Sequence, residues 1–196
     1  MKYLSIDIES TGLKENCHII EFAMIPFDAD KRKVEEHLAK SYYIQCPSFE
    51  DLKPNLDPWV QENMKKVIDA AHENGMPLSQ FKTELTKYLE SAEVKSFFSN
   101  EKITLFGKSM NAIDLPFLNR DLGWDYMRSY FKHRVLDLTS YVYGLIDMKL
   151  LPVQTESGSE LMKFLNMGKV AHTALDDARN TAIMYFKLID LIPSKN

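Results

Sequence analysis

Two carboxylates stand two residues apart near the start of the chain, in the segment Asp7-Ile8-Glu9. Side chains two apart on a β-strand point to the same face, so both acids would be directed at one spot. Like charges this close repel each other unless a cation lies between them, and hard divalent ions such as Mg²⁺ or Mn²⁺ prefer oxygen ligands. The pair predicts a metal site; the alternative is two solvent-facing acids at the end of a strand.

The residues that follow favour a ligand. Thr11 offers a hydroxyl group, and Gly12 offers an unshielded backbone N–H, where a ligand could approach closely. Leu13 completes the segment.

A second polar segment, residues 107–118, follows a strand that ends at a glycine. It contains Ser109, Asn111 and Asp114, and a short helix is predicted to open near Asp114. In isolation Asp114 reads as the N-cap of that helix and Asn111 as a turn residue. Phe117 is our choice for an aromatic contact with an unpaired base, although most aromatic residues of the chain are expected in the core.

The third segment is His172-Thr173-Ala174-Leu175-Asp176-Asp177-Ala178. Thr173 and Asp176 have capping-box spacing, which predicts that a helix begins here and gives Asp176 a structural role. Asp177 is left for chemistry. His172 precedes the helix, in a loop from which it could swing toward a ligand; the alternative is an ordinary surface histidine.

The elements that must position these segments alternate between strands and helices. Hydrophobic periodicity predicts three closely spaced strands, at 2–8, 18–27 and near 34–45, and therefore an antiparallel meander. Further strands are predicted at 102–106 and 135–138. Helices are predicted near 58–72, 78–90 and 114–121, followed by two more, of which the last covers about 174–191. This order indicates an α/β mixed sheet flanked by helices.

Composition narrows the class of protein. A chain of 196 residues suits a single domain, here taken as 1–196, and 45% hydrophobic residues are ordinary for a globular protein. Two cysteines exclude a disulfide scaffold, and no apolar run is long enough to cross a membrane. We therefore expect a cytoplasmic protein without a membrane partner. The net charge of −4 disfavours tight sequence-independent binding of duplex DNA.

Taken in order, the three segments resemble the DEDD superfamily of 3′-to-5′ exonucleases, in its histidine-containing subtype. The resemblance implies an RNase H-like fold, with Asp7, Glu9, Asp114 and Asp177 as ligands of two Mg²⁺ or Mn²⁺ ions and His172 as general base. It also implies that Thr11, Gly12 and Leu13 hold the 3′-terminal nucleotide, with Leu13 wedged against a base. Two metals can stabilise the attacking and leaving oxygens of an in-line displacement that releases a 5′-nucleotide.

The substrate branch stays open. Residues 130–139 are similar to a stretch of the oligoribonucleases, which implies that Arg134, Ser109 and Thr139 cap the 5′ phosphate of a very short RNA. Lys108 and His133 depart from that branch, and residues 45–95 have no obvious counterpart in it. The ribonuclease T and proofreading branches, with single-stranded DNA or RNA 3′ ends as substrate, therefore remain, and Arg134 would then be a surface residue.

Two other classes compete with an exonuclease. One is a non-catalytic nucleic-acid-binding domain on the same fold, which needs a lost ligand position, whereas all five catalytic positions are filled here. The other is an RNase H-type endonuclease or recombinase, which shares the acidic cluster without needing the histidine. The sequence leaves the oligomeric state open, with a homodimer among the alternatives.

Overall fold

A computed structural model of the chain describes residues 1–168 and 173–192. Its centre is a mixed sheet in the order β3-β2-β1-β5-β6, with β4 also paired to β2. The strands are Lys2–Ser10 (β1), Ile19–Asp28 (β2), Lys33–Val34 (β3), Lys40–Tyr43 (β4), Leu105–Gly107 (β5) and Leu136–Asp137 (β6). β1 pairs antiparallel with β2 and parallel with β5, and β5 pairs parallel with β6. The predicted mixed sheet with an antiparallel meander is confirmed.

Helices flank both faces of the sheet. In the described part of the chain they are Phe49–Leu52 (α1), Pro58–Asn63 (α2), Lys65–Asn74 (α3), Leu78–Glu90 (α4), Ala92–Phe97 (α5), Asp114–Leu122 (α6), Trp124–Tyr130 (α7), Leu138–Asp147 (α8), Gly158–Phe164 (α9) and Ala174–Asp190 (α10). The predicted helices at 78–90, 114–121 and 174–191 match α4, α6 and α10 closely. Three short helices, α1, α5 and α7, were not predicted, and one helix was predicted where the structure has both α8 and α9.

Several predicted boundaries are corrected by the structure. The third strand divides into β3 and β4, because a 3₁₀ turn over Glu36–Leu38 buries Leu38 and presents its carbonyl to the Tyr88 hydroxyl. The helix predicted near 58–72 is divided between α2 and α3 at Met64. The strand predicted at 135–138 has only two residues, since the Asp137 carboxylate accepts the backbone N–H groups of Thr139 and Ser140 and starts α8.

β1 is buried on both faces and so joins two hydrophobic clusters. Leu4, Ile6 and Ile8 pack into the cluster that contains α4 and α6, whereas Tyr3 packs into the cluster that contains α8 and α10. On this second face Ser5 is fully buried, and its hydroxyl donates a 2.7 Å hydrogen bond to the Ala178 carbonyl. This bond fixes α10 over the face of β1 that also carries Asp7 and Glu9.

Candidate active site

The start of α10 is capped by its own N-terminal residue and held against the sheet by two hydrogen bonds. Thr173 is the N-cap, and its hydroxyl oxygen accepts the Asp176 N–H while the hydroxyl donates to the Asp176 carboxylate, which confirms the predicted cap. The Ala174 N–H points to the buried Glu21 carboxylate at 3.4 Å. Together with the Ser5 bond, these contacts direct Asp177 toward the end of β1. Glu21 had no role in the sequence-based predictions.

Three of the predicted ligands converge. Asp7, Glu9 and Asp177 each place one carboxylate oxygen so that all three atoms lie within 4.8 Å of one another. We call these three residues the acidic cluster. Residues 170 positions apart in the chain meet here because β1 and α10 pack face to face.

Asp114 lies beside the acidic cluster but is not one of its three members. Its Oδ1 atom accepts the Ile8 N–H at 3.1 Å, which ties the start of α6 to β1. The N-cap of α6 is Ile113, so the reading of Asp114 as the N-cap is corrected. A buried carboxylate facing the neighbouring strand is instead available to the same cavity as Asp7 and Asp177.

Burial and mutual repulsion raise the pKa values of these carboxyl groups. Desolvation is the largest cause of the high pKa of Asp7, followed by repulsion from Asp114, Glu9 and Asp177, which Lys108 partly offsets. Burial, then Asp177, raises the pKa of Glu9 to about 7. Burial also raises the pKa of Asp114 to about 7, against the opposing effect of backbone hydrogen bonds.

The donor set fits divalent cations. Oxygen-only ligands suit Mg²⁺ or Mn²⁺, and carboxylates held this close are costly to ionise without a positive charge between them. Asp7, Glu9 and Asp177 would hold such ions, with Asp114 adjacent.

A cavity of about 690 Å³ opens onto these carboxylates. Asp7, Asp114 and Asp177 line one side, and apolar side chains that include Met162 and Met184 line another. Lys108 also lines the cavity, and its positive charge lowers the pKa of Asp7. In the sequence Lys108 stood out only as a departure from the oligoribonuclease pattern; a cation directly after a strand-ending glycine was the available signal.

Two members of the predicted phosphate cap meet, and the third does not join them. The hydroxyl oxygens of Ser109 and Thr139 lie 2.9 Å apart, held by the loop that Asp137 ties to the Asn111 N–H. Ser109 lines the active-site cavity, whereas Arg134 lines a separate cavity on the surface. The grouping of all three residues around one phosphate is therefore corrected. Asn111 is exposed and has the turn position that its residue type suggests.

The segment after Glu9 begins a closed loop in which Thr11 and Gly12 are buried and Leu13 is exposed. Thr11 is only 3% exposed, and its hydroxyl oxygen accepts the His18 N–H, so this side chain closes the loop rather than facing solvent. Gly12 has a φ of +142°, a backbone conformation that favours glycine. Leu13 is 73% exposed, the state expected of a side chain that contacts a ligand. None of these three residues lines the 690 Å³ cavity.

The prediction of a base contact at Phe117 is wrong. Phe117 is 6% exposed and belongs to the core cluster under α6. The Arg120 guanidinium covers its ring at 4.8 Å and also donates to the Cys17 carbonyl, which ties α6 to the loop after β1.

An exposed aromatic side chain lies on the helix next to this loop. Trp59 is 65% exposed on α2, and Asp57, which precedes that helix, lies 3.7 Å from Lys14.

His172 lies outside the described residues, so its role as general base stays a prediction. The described residues place the adjacent Thr173 at the start of α10 and Asp177 one turn further along.

The mixed sheet, the flanking helices and the acidic cluster at the end of β1 together define an RNase H-like nuclease class. A family model described as an exonuclease, RNase T, matches residues 4–185. The chain belongs to this RNase T exonuclease family. No curated protein sequence matches it significantly.

Solved structures share the fold at low sequence identity. Cell-death related nuclease 4 superposes with a TM-score of 0.69 and 14% identity, over 97% of this chain and 64% of that one. A 3′-exonuclease solved with the histone mRNA stem-loop gives 0.64 and 14%, over 96% and 81%. E. coli exonuclease I bound to single-stranded DNA gives 0.64 and 17%, over 100% and 41%. This chain thus spans about two fifths of exonuclease I, and these likenesses establish the RNase H-like exonuclease fold.

No helix among the described residues is long and apolar enough to cross a membrane.

Proposed function

We propose that the protein is a divalent-metal-dependent 3′-to-5′ exonuclease that releases 5′-mononucleotides from single-stranded DNA or RNA. The observation that carries this proposal is the convergence of three carboxylate oxygens, from β1 and α10, within 4.8 Å at a cavity that Asp114 also lines. Family membership supports exonuclease chemistry. Single-stranded DNA in exonuclease I and an mRNA 3′ end in the 3′-exonuclease support the substrate class and direction.

Different residues of the chain bind the metal ions, the phosphodiester and the terminal base. Asp7, Glu9 and Asp177 hold the metal ions with Asp114, and when bound these ions stabilise the attacking and leaving oxygens of the displacement. Lys108, which lines the same cavity, offers a positive charge to the phosphodiester. Leu13 contacts the terminal base from the loop after β1.

His172 accepts the proton of the attacking water. A histidine ordinarily titrates near a pKa of about 6.5, so it can take a proton near neutral pH. We expect His172→Ala to lower the turnover rate by about 10²- to 10⁴-fold, the usual contribution of a general base. The affinity for the metal ions, measured by calorimetry, should change far less, because His172 is not among the proposed ligands. An unchanged acidic limb of the pH–rate profile in this variant would contradict the assignment, because a general base stops working when it is protonated.

The position of Arg134 favours an open groove over a site closed around a very short RNA. Arg134 lines a cavity that shares no residue with the one at the acidic cluster. Rates should then be level or rise between a two-nucleotide and a twenty-nucleotide substrate. A 5′-phosphorylated dinucleotide cut much faster than a long strand, with the preference lost in Arg134→Ala, would establish the oligoribonuclease-like alternative.

End-labelled substrates test the proposal directly. A 20-mer labelled at its 5′ end should shorten by single nucleotides, whereas the same strand labelled at its 3′ end should release a labelled mononucleotide at once. EDTA should stop both reactions, and Ca²⁺ should support binding with little turnover because its coordination is looser than that of Mg²⁺. Internal cuts in the early products would identify an endonuclease, and hydrolysis in EDTA would exclude the metal mechanism.

A further inference from the structure

A second cavity, of about 450 Å³, lies at the opposite end of β5 from the acidic cluster. Apart from Phe131, all the side chains that line it are basic. They are Lys102, Arg128, Lys132, His133 and Arg134. We call this cavity the basic pocket. It is unexpected in a chain whose net charge is −4.

Few carboxylates neutralise the basic pocket. Lys132 pairs with Glu101 at 3.3 Å. Within the described ranges, no carboxylate lies at ion-pair distance from Arg128 or Arg134. The Lys102 ammonium donates to the Arg128 carbonyl, which holds Lys102 against α7 without cancelling its charge. Four fixed positive charges therefore line a pocket whose own lining contains no carboxylate, so the pocket attracts anions. Asp28, Asp30 and Glu101 line the adjoining cavity, which shares Lys102 and Lys132 with the basic pocket.

An exposed aromatic ring adjoins these charges. Trp124 is 59% exposed, and the Arg128 guanidinium lies over its ring at 4.9 Å. Both residues belong to α7, one helical turn apart. Cations combined with an accessible aromatic ring are typical of surfaces that bind single-stranded nucleic acid, because phosphates pair with the cations and bases stack on the ring.

The basic pocket and the active-site cavity are separated along β5. Lys102 precedes this strand and lines the basic pocket, whereas Lys108 follows the strand and lines the active-site cavity. Six residues of extended chain span at most roughly 20 Å. A single strand several nucleotides long can therefore reach from one cavity to the other.

We propose that the basic pocket binds phosphate groups of a single-stranded nucleic acid, with Trp124 stacking on a base, 5′ of the nucleotides at the acidic cluster. The position along the strand rests on the proposed function, whereas the binding itself does not. The pocket thereby adds affinity for longer substrates without entering the chemical step.

Equilibrium binding in EDTA tests the pocket without hydrolysis. Fluorescence anisotropy would follow labelled dT20 and dT3 with three proteins. The first is the wild type, and the second is the triple variant Lys102→Gln, Arg128→Gln, Lys132→Gln. The third is the matched control Lys31→Gln, Lys66→Gln, Lys187→Gln, whose residues are exposed and line neither the basic pocket nor the active-site cavity. We expect the pocket variant to lose at least about tenfold in affinity for dT20 at low salt, because three phosphate contacts are removed. Its slope of log K against log salt should fall by about 2, at about 0.7 for each contact. The control should stay within about twofold of the wild type.

Trp124→Ala separates strand recognition from simple charge attraction. This variant should weaken dT20 binding while leaving the affinity for inorganic polyphosphate of equal charge unchanged. Equal loss for both ligands, or equal affinity of the pocket variant and its control for dT20, would overturn the proposal. If the triple variant unfolds, as judged by circular dichroism, the single variants Arg128→Gln and Lys31→Gln are compared in the same assay.

Kinetics with Mg²⁺ test whether the strand bound in the basic pocket is the strand that is hydrolysed. In the pocket variant the KM for a 20-mer should rise while its kcat and the rate on a 3-mer stay unchanged. If dT20 binds as expected but this KM does not change, the strand in the pocket is not the substrate strand and the positional part is wrong. If no substrate is hydrolysed by the wild type, the proposed function fails while the binding result still decides the pocket.

Discussion

Adjacent aspartates in α10 face different partners. Asp176 bonds to Thr173 and pairs with Arg179 at 2.6 Å, whereas Asp177 belongs to the acidic cluster. We expect Asp177→Asn to abolish nearly all hydrolysis, because the amide keeps the shape but removes the charge that holds a divalent ion. Asp176→Asn is the matched control and should retain most activity. Greater loss in the Asp176 variant, measured as initial rate, would reverse the assignment.

Asp114 combines a structural and a chemical role that two substitutions can separate. Asp114→Asn keeps an oxygen that can accept the Ile8 N–H, so the free energy of unfolding should change little while metal-dependent activity is lost. Asp114→Leu removes the acceptor as well and leaves a buried N–H without its partner. That variant should be less stable by about 1–3 kcal/mol, measured by urea denaturation. Equal stability of the two variants would show that the hydrogen bond contributes nothing.

At the scale of elements, the placement of α10 decides whether the acidic cluster exists. The buried Ser5 hydroxyl joins β1 to this helix at the Ala178 carbonyl. Ser5→Ala should lower the free energy of unfolding by about 1 kcal/mol and weaken Mg²⁺ binding, because Asp177 is then less firmly positioned. Ser129→Ala is the matched control, since its hydroxyl bonds within exposed α7. Weaker metal binding in the control, or unchanged metal binding in Ser5→Ala, would contradict this account. Calorimetry measures both the stability and the Mg²⁺ affinity.

The loop after β1 provides a second prediction at this scale. Thr11 and Arg120 close and anchor the loop, and Leu13 projects from it with most of its surface exposed. Leu13→Ala should raise the KM for single-stranded substrates several-fold and leave the melting temperature nearly unchanged, because an exposed side chain contributes little to folding. Leu150→Ala, at another exposed leucine, should change neither value. A lower melting temperature without a change in KM would give Leu13 a structural role instead.

For the whole molecule, the raised carboxyl pKa values link stability to pH and to metal ions. The folded state holds protons on Glu9 and Asp114 up to a pKa of about 7, whereas an unfolded chain releases them near their ordinary values. The folded state therefore binds more protons across this window, so these groups make stability fall as pH rises from about 4 to 7.

The melting temperature of the metal-free protein should accordingly be higher near pH 5 than near pH 8. Mg²⁺ should stabilise the protein more at pH 8 than at pH 5, since it replaces the lost protons. Melting curves in EDTA and in Mg²⁺ across this range measure both effects. The quadruple variant with Asn or Gln at the four acids is the control and should lose the metal effect. A Mg²⁺ effect that shrinks as pH rises would contradict the site.

Local patterns in the sequence determined the elements and the candidate acids. Alternating apolar residues placed β1, and helical periodicity placed α4. The spacing of Thr173 and Asp176 placed the start of α10. Each of these patterns depends on interactions between near neighbours. Asp7 and Glu9 were brought to one face by the same two-residue period. The short helices α1, α5 and α7 were missed because four to seven residues carry too little periodicity.

Only the tertiary structure decided which distant residues meet. Burial of Ser5 against Ala178 brings Asp177 to Asp7, and the Asp114 bond to Ile8 brings α6 to the same place. Packing under Arg120 places Phe117 in the core, and the loop after α7 places Arg134 in the basic pocket, away from Ser109. A sequence pattern states which face of an element a residue occupies. The partner of that face is set by packing between elements far apart in the chain, and this packing is what assembled the carboxylates and separated the arginine from them.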